Sequence, residues 1–191
     1  MRAYRVNEIF YSLQGEGAYT GVPMIFVRFS GCNLNCPFCD TTHTDYKEMT
    51  AADIRQAIRA FPCQRVCLTG GEPTLQVDEQ LIAEAFCGYR VHMETNGTNP
   101  IPQGVDWATV SPKHAPVVVD NCQELKLLYG QGSADPMEWE HFPAEVHCLQ
   151  PIDVPNNPEL SQRNVQSTIE YCKEHPTWRL SLQTHKITHI R

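Results

Sequence analysis

Cys32, Cys36 and Cys39 stand at C-x3-C-x2-C spacing within the run GCNLNCPFCD. Three thiolates from one short loop can hold three corners of a cubane iron–sulfur cluster and leave the fourth iron open to an outside ligand. Gly31 and Pro37 suit a loop that has to curl around inorganic atoms. The same residues allow a second chemistry. His43 follows Cys39 at the spacing of a Cys3His finger and would complete a tetrahedral zinc site. On spacing alone, a cluster and a zinc ion are both open.

A second element lies one unit further on, where Gly70-Gly71-Glu72-Pro73 follows the strand-like run RVCLT. Paired glycines let the backbone approach a ligand closely, and Glu72 offers an acceptor to an ammonium group, although the four residues alone also describe a plain turn. Strand signals recur at Met24 to Ser30, Arg65 to Thr69, Arg90 to Glu94, Trp107 to Val110, Glu124 to Tyr129, Val146 to Leu149 and Arg179 to Gln183. Several are apolar on both faces, as in a covered parallel sheet. Helical periodicity falls at Ala51 to Phe61, Asp78 to Phe86 and Ser161 to His175, the first preceded by Thr50 with Asp53 three residues on, a capping box.

The first strands alternate with helices, which implies parallel strands and right-handed crossovers. After Asn96 the spacers TNGTNPIPQG and PKHAPVVVDNCQ are short and rich in Pro and Gly, so those crossovers are expected to be loops. A full eight-stranded barrel takes roughly 250 residues, against 191 here. The expectation is one α/β domain over residues 1–191, a partial, splayed TIM-like barrel of about six parallel strands with about three helices. Working residues then belong at the carboxyl ends of the strands.

Composition narrows the function classes. The net charge of −7, with no Lys/Arg run, leaves no footprint for a phosphate backbone, so a small substrate is expected and nucleic acid is not. No stretch approaches the roughly 20 apolar residues of a membrane span, and the amino-terminal run is unlike a signal peptide, so a cytoplasmic protein without a membrane partner is expected. Nine cysteines, an odd number, read as reduced thiols. Beyond the cluster trio, Cys63, Cys67, Cys87, Cys122, Cys148 and Cys172 read as small buried hydrophobes.

C-x3-C-x2-C after an early strand, with GGEP one unit later, resembles the signature of the radical S-adenosylmethionine superfamily. The amino-terminal NEIF and LQGEG, then TGVPMIFVRFSGCNLNCPFCDT, ETNGT at Glu94 to Thr98, SPK at Ser111 to Lys113, LQP at Leu149 to Pro151 and QTHK at Gln183 to Lys186 are similar to the 7-carboxy-7-deazaguanine synthase family. The likeness runs over almost the whole chain. It implies a [4Fe-4S] cluster on Cys32, Cys36 and Cys39, whose open iron chelates S-adenosylmethionine. It also implies Mg2+, an electron donor such as a flavodoxin or ferredoxin, and a homodimer that closes the side left open by the missing crossover helices. The implied reaction is a ring contraction: a 5'-deoxyadenosyl radical takes hydrogen from C6 of 6-carboxy-5,6,7,8-tetrahydropterin, ammonia leaves, 7-carboxy-7-deazaguanine forms and S-adenosylmethionine is regenerated.

The resemblance further implies cofactor contacts at Phe38, Asp40, Gly71, Glu72, Gly97, Ser111, Pro112, Lys113 and Gln150, substrate contacts at Leu13, Gln14, Gly15, Arg28, Thr95, His185 and Arg191, and Mg2+ at Thr41. Several of these positions admit blander readings. Thr41 could cap its own loop, Gly15 and Gly17 could form a turn, and Arg28, costly to bury alone in an apolar strand, could pair with a glutamate of the fold instead of a substrate carboxylate. The terminal carboxylate of Arg191 is expected to reach the pocket, with His185 orienting the tail. The segment from Asp40 to Thr50 is shorter than in members that carry an insert there. A radical activase of a glycyl-radical enzyme would share the cysteines and GGEP without needing the LQGEG segment, and a noncatalytic zinc module is the alternative from another class.

Overall fold

A computed structural model describes residues 2–37, 39, 44–113, 116–130 and 133–190. Nine strands form one sheet: β1 (Ala3–Leu13), β2 (Pro23–Phe29), β3 (Lys47–Thr50), β4 (Arg65–Gly70), β5 (Arg90–Thr95), β6 (Trp107–Val110), β7 (Cys122–Tyr129), β8 (Ala144–Pro151) and β9 (Trp178–Leu180), in the order β3-β1-β2-β4-β5-β6-β7-β8-β9. β2 and β4 through β9 pair in parallel, while β1 runs antiparallel to both β2 and β3. The sheet is the expected partial barrel, extended at one edge by two antiparallel strands that the sequence reading did not find. The reason lies in β1, whose register against β2 shifts between Val6 and Glu8, so its inward and outward residues fall out of step with a period of two.

Four α-helices are present among the described residues: α1 (Ala51–Ile58), α2 (Glu79–Ala85), α3 (Pro158–Glu174) and the short α4 (Thr184–Thr188). α1 starts with the expected capping box, in which Thr50 Oγ1 accepts from Asp53 N at 3.2 Å and Asp53 Oδ2 accepts from Thr50 N at 2.9 Å. Asp78 caps α2 through Leu81 N, and Asn157 caps α3 through Leu160 N with Pro158 in the first turn. β5, β6 and β7 follow one another without an α-helix, as their short Pro/Gly-rich spacers require.

The apolar residues sort by face. Ile25, Val27, Phe29, Val66, Leu68, Val91 and Met93 pack outward with Ile54 and Ile58 of α1 and Leu81 and Ala85 of α2. Leu125, Leu127, Leu149 and Trp178 form a second outer cluster against which Tyr171 and Cys172 of α3 pack. Phe29 is fully buried, and truncating such a residue to Ala costs about 3–5 kcal/mol. The inner face differs from the covered sheet expected of these strands. Alternation places Glu124 and Lys126 on the side of β7 opposite Leu125 and Leu127, and Glu94 opposite Met93 on β5, so the barrel is lined partly by charge. Cys67, Cys122 and Cys148 are buried as expected, whereas Cys63 and Cys172 are half-buried and Cys87 is exposed just past α2.

Candidate active site

The rim at the carboxyl ends of the parallel strands gathers the motif loops. The cysteine loop leaves β2, Gly71 and Glu72 leave β4, Thr95 to Thr98 end and follow β5, and Ser111 to Lys113 follow β6. Gly71 N donates to Phe29 O at 3.1 Å and Glu72 N to Gly31 O at 2.9 Å, which lays the GGEP turn directly against the start of the cysteine loop. Gly71 has to be glycine for this approach, because a Cβ there would stand 2.1 Å from Gly31 O and 2.9 Å from Cys32 Cβ.

Glu72 is wholly buried and ties two loops together. Its Oε1 accepts from Thr74 N at 3.1 Å, Thr74 Oγ1 at 2.6 Å and Thr95 Oγ1 at 2.7 Å, and its Oε2 accepts from Asn96 N at 2.7 Å. Asn96 Nδ2 then donates to Asn33 Oδ1 at 3.0 Å, and Asn33 Nδ2 donates to Thr98 Oγ1 at 2.8 Å, joining the cysteine loop to the ETNGT loop. The rim is thereby cross-braced by neutral and single-carboxylate hydrogen bonds.

The thiols suit an iron–sulfur group. Cys39 N donates to Cys36 O at 3.1 Å and Leu34 N to Cys32 Sγ at 3.4 Å, so the loop curls with an amide aimed at a sulfur. Burial raises the Cys36 thiol, Lys113 opposes this, and the neighbouring Cys32 and Cys39 push the same way as burial. Three sulfurs that feel one another, beside one lysine, are stabilised as thiolates by bound cationic iron. Among the described residues no three His, Cys, Asp or Glu side chains are grouped as ligands of a single metal ion. A cubane cluster holds each thiolate at its own corner. Phe38, Asp40, Thr41 and His43 lie outside the described residues.

Below the rim, the β1–β2 connection fills the barrel. β1 ends at the amino end of β2, where Leu13 is 40% exposed opposite Pro23, and the chain then turns inward. Tyr19 packs edge-on to His92 and Trp107 with ring centroids 4.5 and 4.8 Å away. Gln14 is buried; its Nε2 donates to Glu94 Oε1 at 3.2 Å and its Oε1 accepts from Gly15 N at 2.9 Å. Lys126 Nζ donates to Glu16 Oε2 at 2.6 Å and to Glu94 Oε2 at 2.9 Å. Glu124 Oε2 accepts from Ala18 N at 3.2 Å and Trp107 Nε1 at 3.3 Å.

Charge in this chamber is strongly coupled. Burial would raise the Glu16 carboxyl, yet Lys126 beside it holds it at about 2. Burial keeps Glu94 above the usual carboxylate range, with Lys126 offsetting part of the effect. For Lys126, burial favours the neutral amine, but Glu16, Glu94 and Glu124 override it and hold the ammonium charged. Lys113 is lowered to about 8 by burial and then by Lys126, and its Nζ donates to Ser111 Oγ at 2.7 Å.

The structure brings Gly71, Glu72, Thr95, Gly97, Ser111, Pro112 and Lys113 to one rim and Gln14, Gly15 and His185 to one chamber. Gly15 lies close against the His185 side chain: a Cβ at Gly15 would fall 2.2 Å from His185 Nδ1. Gln150, near the end of β8, accepts from Ser181 Oγ at 3.1 Å. Arg28 is inside the fold's own ion pair, its Nε donating to Glu8 Oε1 at 2.9 Å, with its guanidinium over the Phe10 ring. Arg191 lies outside the described residues. Sequence reasoning missed Lys126 and Glu124 and gave no role to Glu16 or Glu94. The signal was present in CQELKLLY, where two charges two apart interrupt an apolar strand and so must share a face.

A half-barrel with three cysteines after its first parallel strand defines a radical S-adenosylmethionine protein, and residues 26–116 match the Radical SAM superfamily. The 7-carboxy-7-deazaguanine synthase of Bacteroides thetaiotaomicron is 46% identical over 98% of this chain and 98% of its own length. That of Bordetella pertussis is 46% identical over 96% of this chain and 97% of its own. The crystal structure of QueE from Escherichia coli superposes with a TM-score of 0.74 at 28% identity, covering 96% of this chain and 95% of that one. The chain belongs to the 7-carboxy-7-deazaguanine synthase family. Its superfamily implies a [4Fe-4S] cluster and S-adenosylmethionine, and no helix among the described residues is long and apolar enough to cross a membrane.

Proposed function

We propose that the chain is a radical S-adenosylmethionine lyase that converts 6-carboxy-5,6,7,8-tetrahydropterin to 7-carboxy-7-deazaguanine with loss of ammonia, in deazapurine (queuosine) biosynthesis. The observation that carries this is the full-length identity of 46% to a relative named for that product. When bound, the cluster and S-adenosylmethionine supply a 5'-deoxyadenosyl radical, and S-adenosylmethionine is regenerated at the end of the cycle.

The remaining work falls to the chain's own side chains. Cys32, Cys36 and Cys39 would hold three irons, and Gly71, Glu72, Gly97, Ser111, Pro112, Lys113 and Gln150, with Phe38 and Asp40, would hold S-adenosylmethionine. Lys113, already near a cluster cysteine, offers an ammonium to an anionic cofactor group. Gln14, Gly15, Thr95 and His185 would bind the pterin edge, with Leu13 at the margin. Such polar groups discriminate strongly, because a ligand lacking the matching donor leaves them unpaired in a buried site. Arg28 would reach a substrate carboxylate by sharing its guanidinium with Glu8. Thr41 would hold Mg2+ and through it the same carboxylate, a hard oxygen ligand suited to that ion. We assign the chain to one domain acting in the cytoplasm as a homodimer, with a flavodoxin or ferredoxin as electron donor.

The test is anaerobic incubation of the iron-loaded protein with reductant, S-adenosylmethionine, Mg2+ and the tetrahydropterin. Mass analysis is expected to find 7-carboxy-7-deazaguanine and ammonia in equal amounts. Cofactor cleavage without any deazapurine would overturn the assignment and point to an activase. In the same assay, Thr41→Ala should keep its iron and lose most of its response to Mg2+, and an unchanged response would assign Thr41 to capping its own loop.

A further inference from the structure

We propose that Glu16 is a positioning residue that assembles the substrate platform, a role that rests on the function proposed above. Its two oxygens join three parts of the chain. Oε2 accepts from Lys126 Nζ of β7 at 2.6 Å, and Oε1 accepts from Gln183 Nε2 at the start of α4 at 2.9 Å. Glu16 itself sits in the β1–β2 connection, one residue after Gly15 and two after Gln14. The Glu16 carboxylate therefore ties the loop that presents Gln14 and Gly15, and the segment that presents His185, to one barrel strand, where Ala18 N to Glu124 Oε2 is a second tie for the loop alone.

Neighbouring bonds make the loop and the tail a single body. Thr184 N and Thr184 Oγ1 each donate to Gly15 O at 2.9 Å, and Gly17 N donates to Ser181 Oγ at 2.8 Å. Ser181 Oγ in turn donates to Gln150 Oε1 at 3.1 Å, which reaches the cofactor side of the rim. The Gly15–His185 contact has no slack, since a single methyl group would not fit between them. A displacement of the Glu16 anchor must move both surfaces.

Stability alone is a poor reason for this arrangement. Desolvating two charges consumes most of the attraction between them, and buried ion pairs replaced by packed apolar residues often leave stability unchanged or improved. Directional bonds on both oxygens of Glu16 instead fix a distance and an angle, which is what a binding surface requires. Lys126, also bonded to Glu94, locks the loop to the strand that carries Thr95.

Glu16→Gln and Lys126→Met, in cluster-loaded protein, test this. Equilibrium dialysis with 6-carboxypterin as the probe should show binding weakened roughly ten- to a hundredfold, the loss expected of one charge-assisted contact. Iron content should stay at the wild-type level, KM for the tetrahydropterin should rise more than kcat falls, and more 5'-deoxyadenosine should be released per product formed. The double variant should be no worse than the more severe single one, because both act on the Glu16–Lys126 link. Should the buried substitutions prevent folding, Gln183→Leu removes the bond from the tail to Glu16 while keeping the Glu16–Lys126 pair, and should weaken the probe severalfold. Wild-type affinity in whichever of these variants folds would overturn the inference, as would a lowered melting temperature with unchanged KM and coupling. Failure of the wild-type protein to make 7-carboxy-7-deazaguanine is a separate result that removes the functional reading itself.

Discussion

The rim and the barrel interior solve the same task, holding a polar group still, in opposite ways. On the rim, motif loops from neighbouring strands brace one another through mostly neutral donors: Glu72 takes all four of its bonds from Thr74, Thr95 and Asn96, and Asn33 bonds Asn96 and Thr98. In the interior, single residues far apart in sequence meet, as Glu16, Glu94, Lys126 and Gln183 do, and ions replace neutral donors. A rim built this way needs only the neighbouring strands β2, β4 and β5 side by side. An interior built this way exists only once the barrel has closed around it. Cofactor binding should therefore be robust to changes below the rim, while substrate binding depends on the whole fold.

The strongest way to break this division is at the cysteines. Cys32→Ala, Cys36→Ala or Cys39→Ala should each lose the cluster and abolish turnover, whereas Cys172→Ala should retain both. Full iron by colorimetric assay in any cluster-cysteine variant would remove that residue from the ligand set. Glu72→Gln comes next. It replaces one carboxylate oxygen by an NH2 that must face either Thr74 N or Asn96 N in a fully buried position, so it should cost about 2–3 kcal/mol of stability by chemical denaturation and weaken S-adenosylmethionine binding. A loss of pterin affinity with unchanged cofactor affinity would contradict the assignment of this residue to the rim.

Gly15→Ala addresses the interior. The added methyl must push His185 away, an overpacking cost of about 1–3 kcal/mol, and KM for the pterin should rise while iron content holds. His185→Gly in the same chain should relieve the clash and restore part of the stability, and strictly additive costs would show that the two residues are not in contact. The smallest effect concerns pH. Burial, then Arg65, holds His92 at about 4 in the folded chain against an ordinary value of 6.5. A depressed histidine binds its proton first in the unfolded state, so stability falls as pH drops from 6.5 toward 4, by about 2–3 kcal/mol. His92→Gln should flatten that limb of the denaturation profile; the same acid sensitivity in the variant would show that His92 is not its source.

The same contrast explains what could be read from the sequence. The cysteines, GGEP, ETNGT and SPK were legible because each rim loop is a contiguous motif at a strand end. The parallel strands and α1 to α3 were legible because their apolar periods are regular and their caps, Thr50 among them, are explicit. β1 was missed because its bulge breaks the period of two. Lys126 was missed because its partners lie in two other segments, the β1–β2 connection and β5, and only the closed barrel brings them within bonding distance. Arg28 was legible as a residue in need of a partner, but nothing local said that Glu8, across the β1–β2 pair, supplies one.

The most direct test of the division between a radical-forming rim and a substrate-holding interior is an isotope experiment. Substrate carrying deuterium at C6 is turned over anaerobically and the remaining S-adenosylmethionine is analysed by mass. Transfer from a pterin held in the chamber to a cofactor held on the rim predicts deuterium in the recovered S-adenosylmethionine as 7-carboxy-7-deazaguanine accumulates. Product formed while the recovered S-adenosylmethionine stays free of deuterium would contradict it.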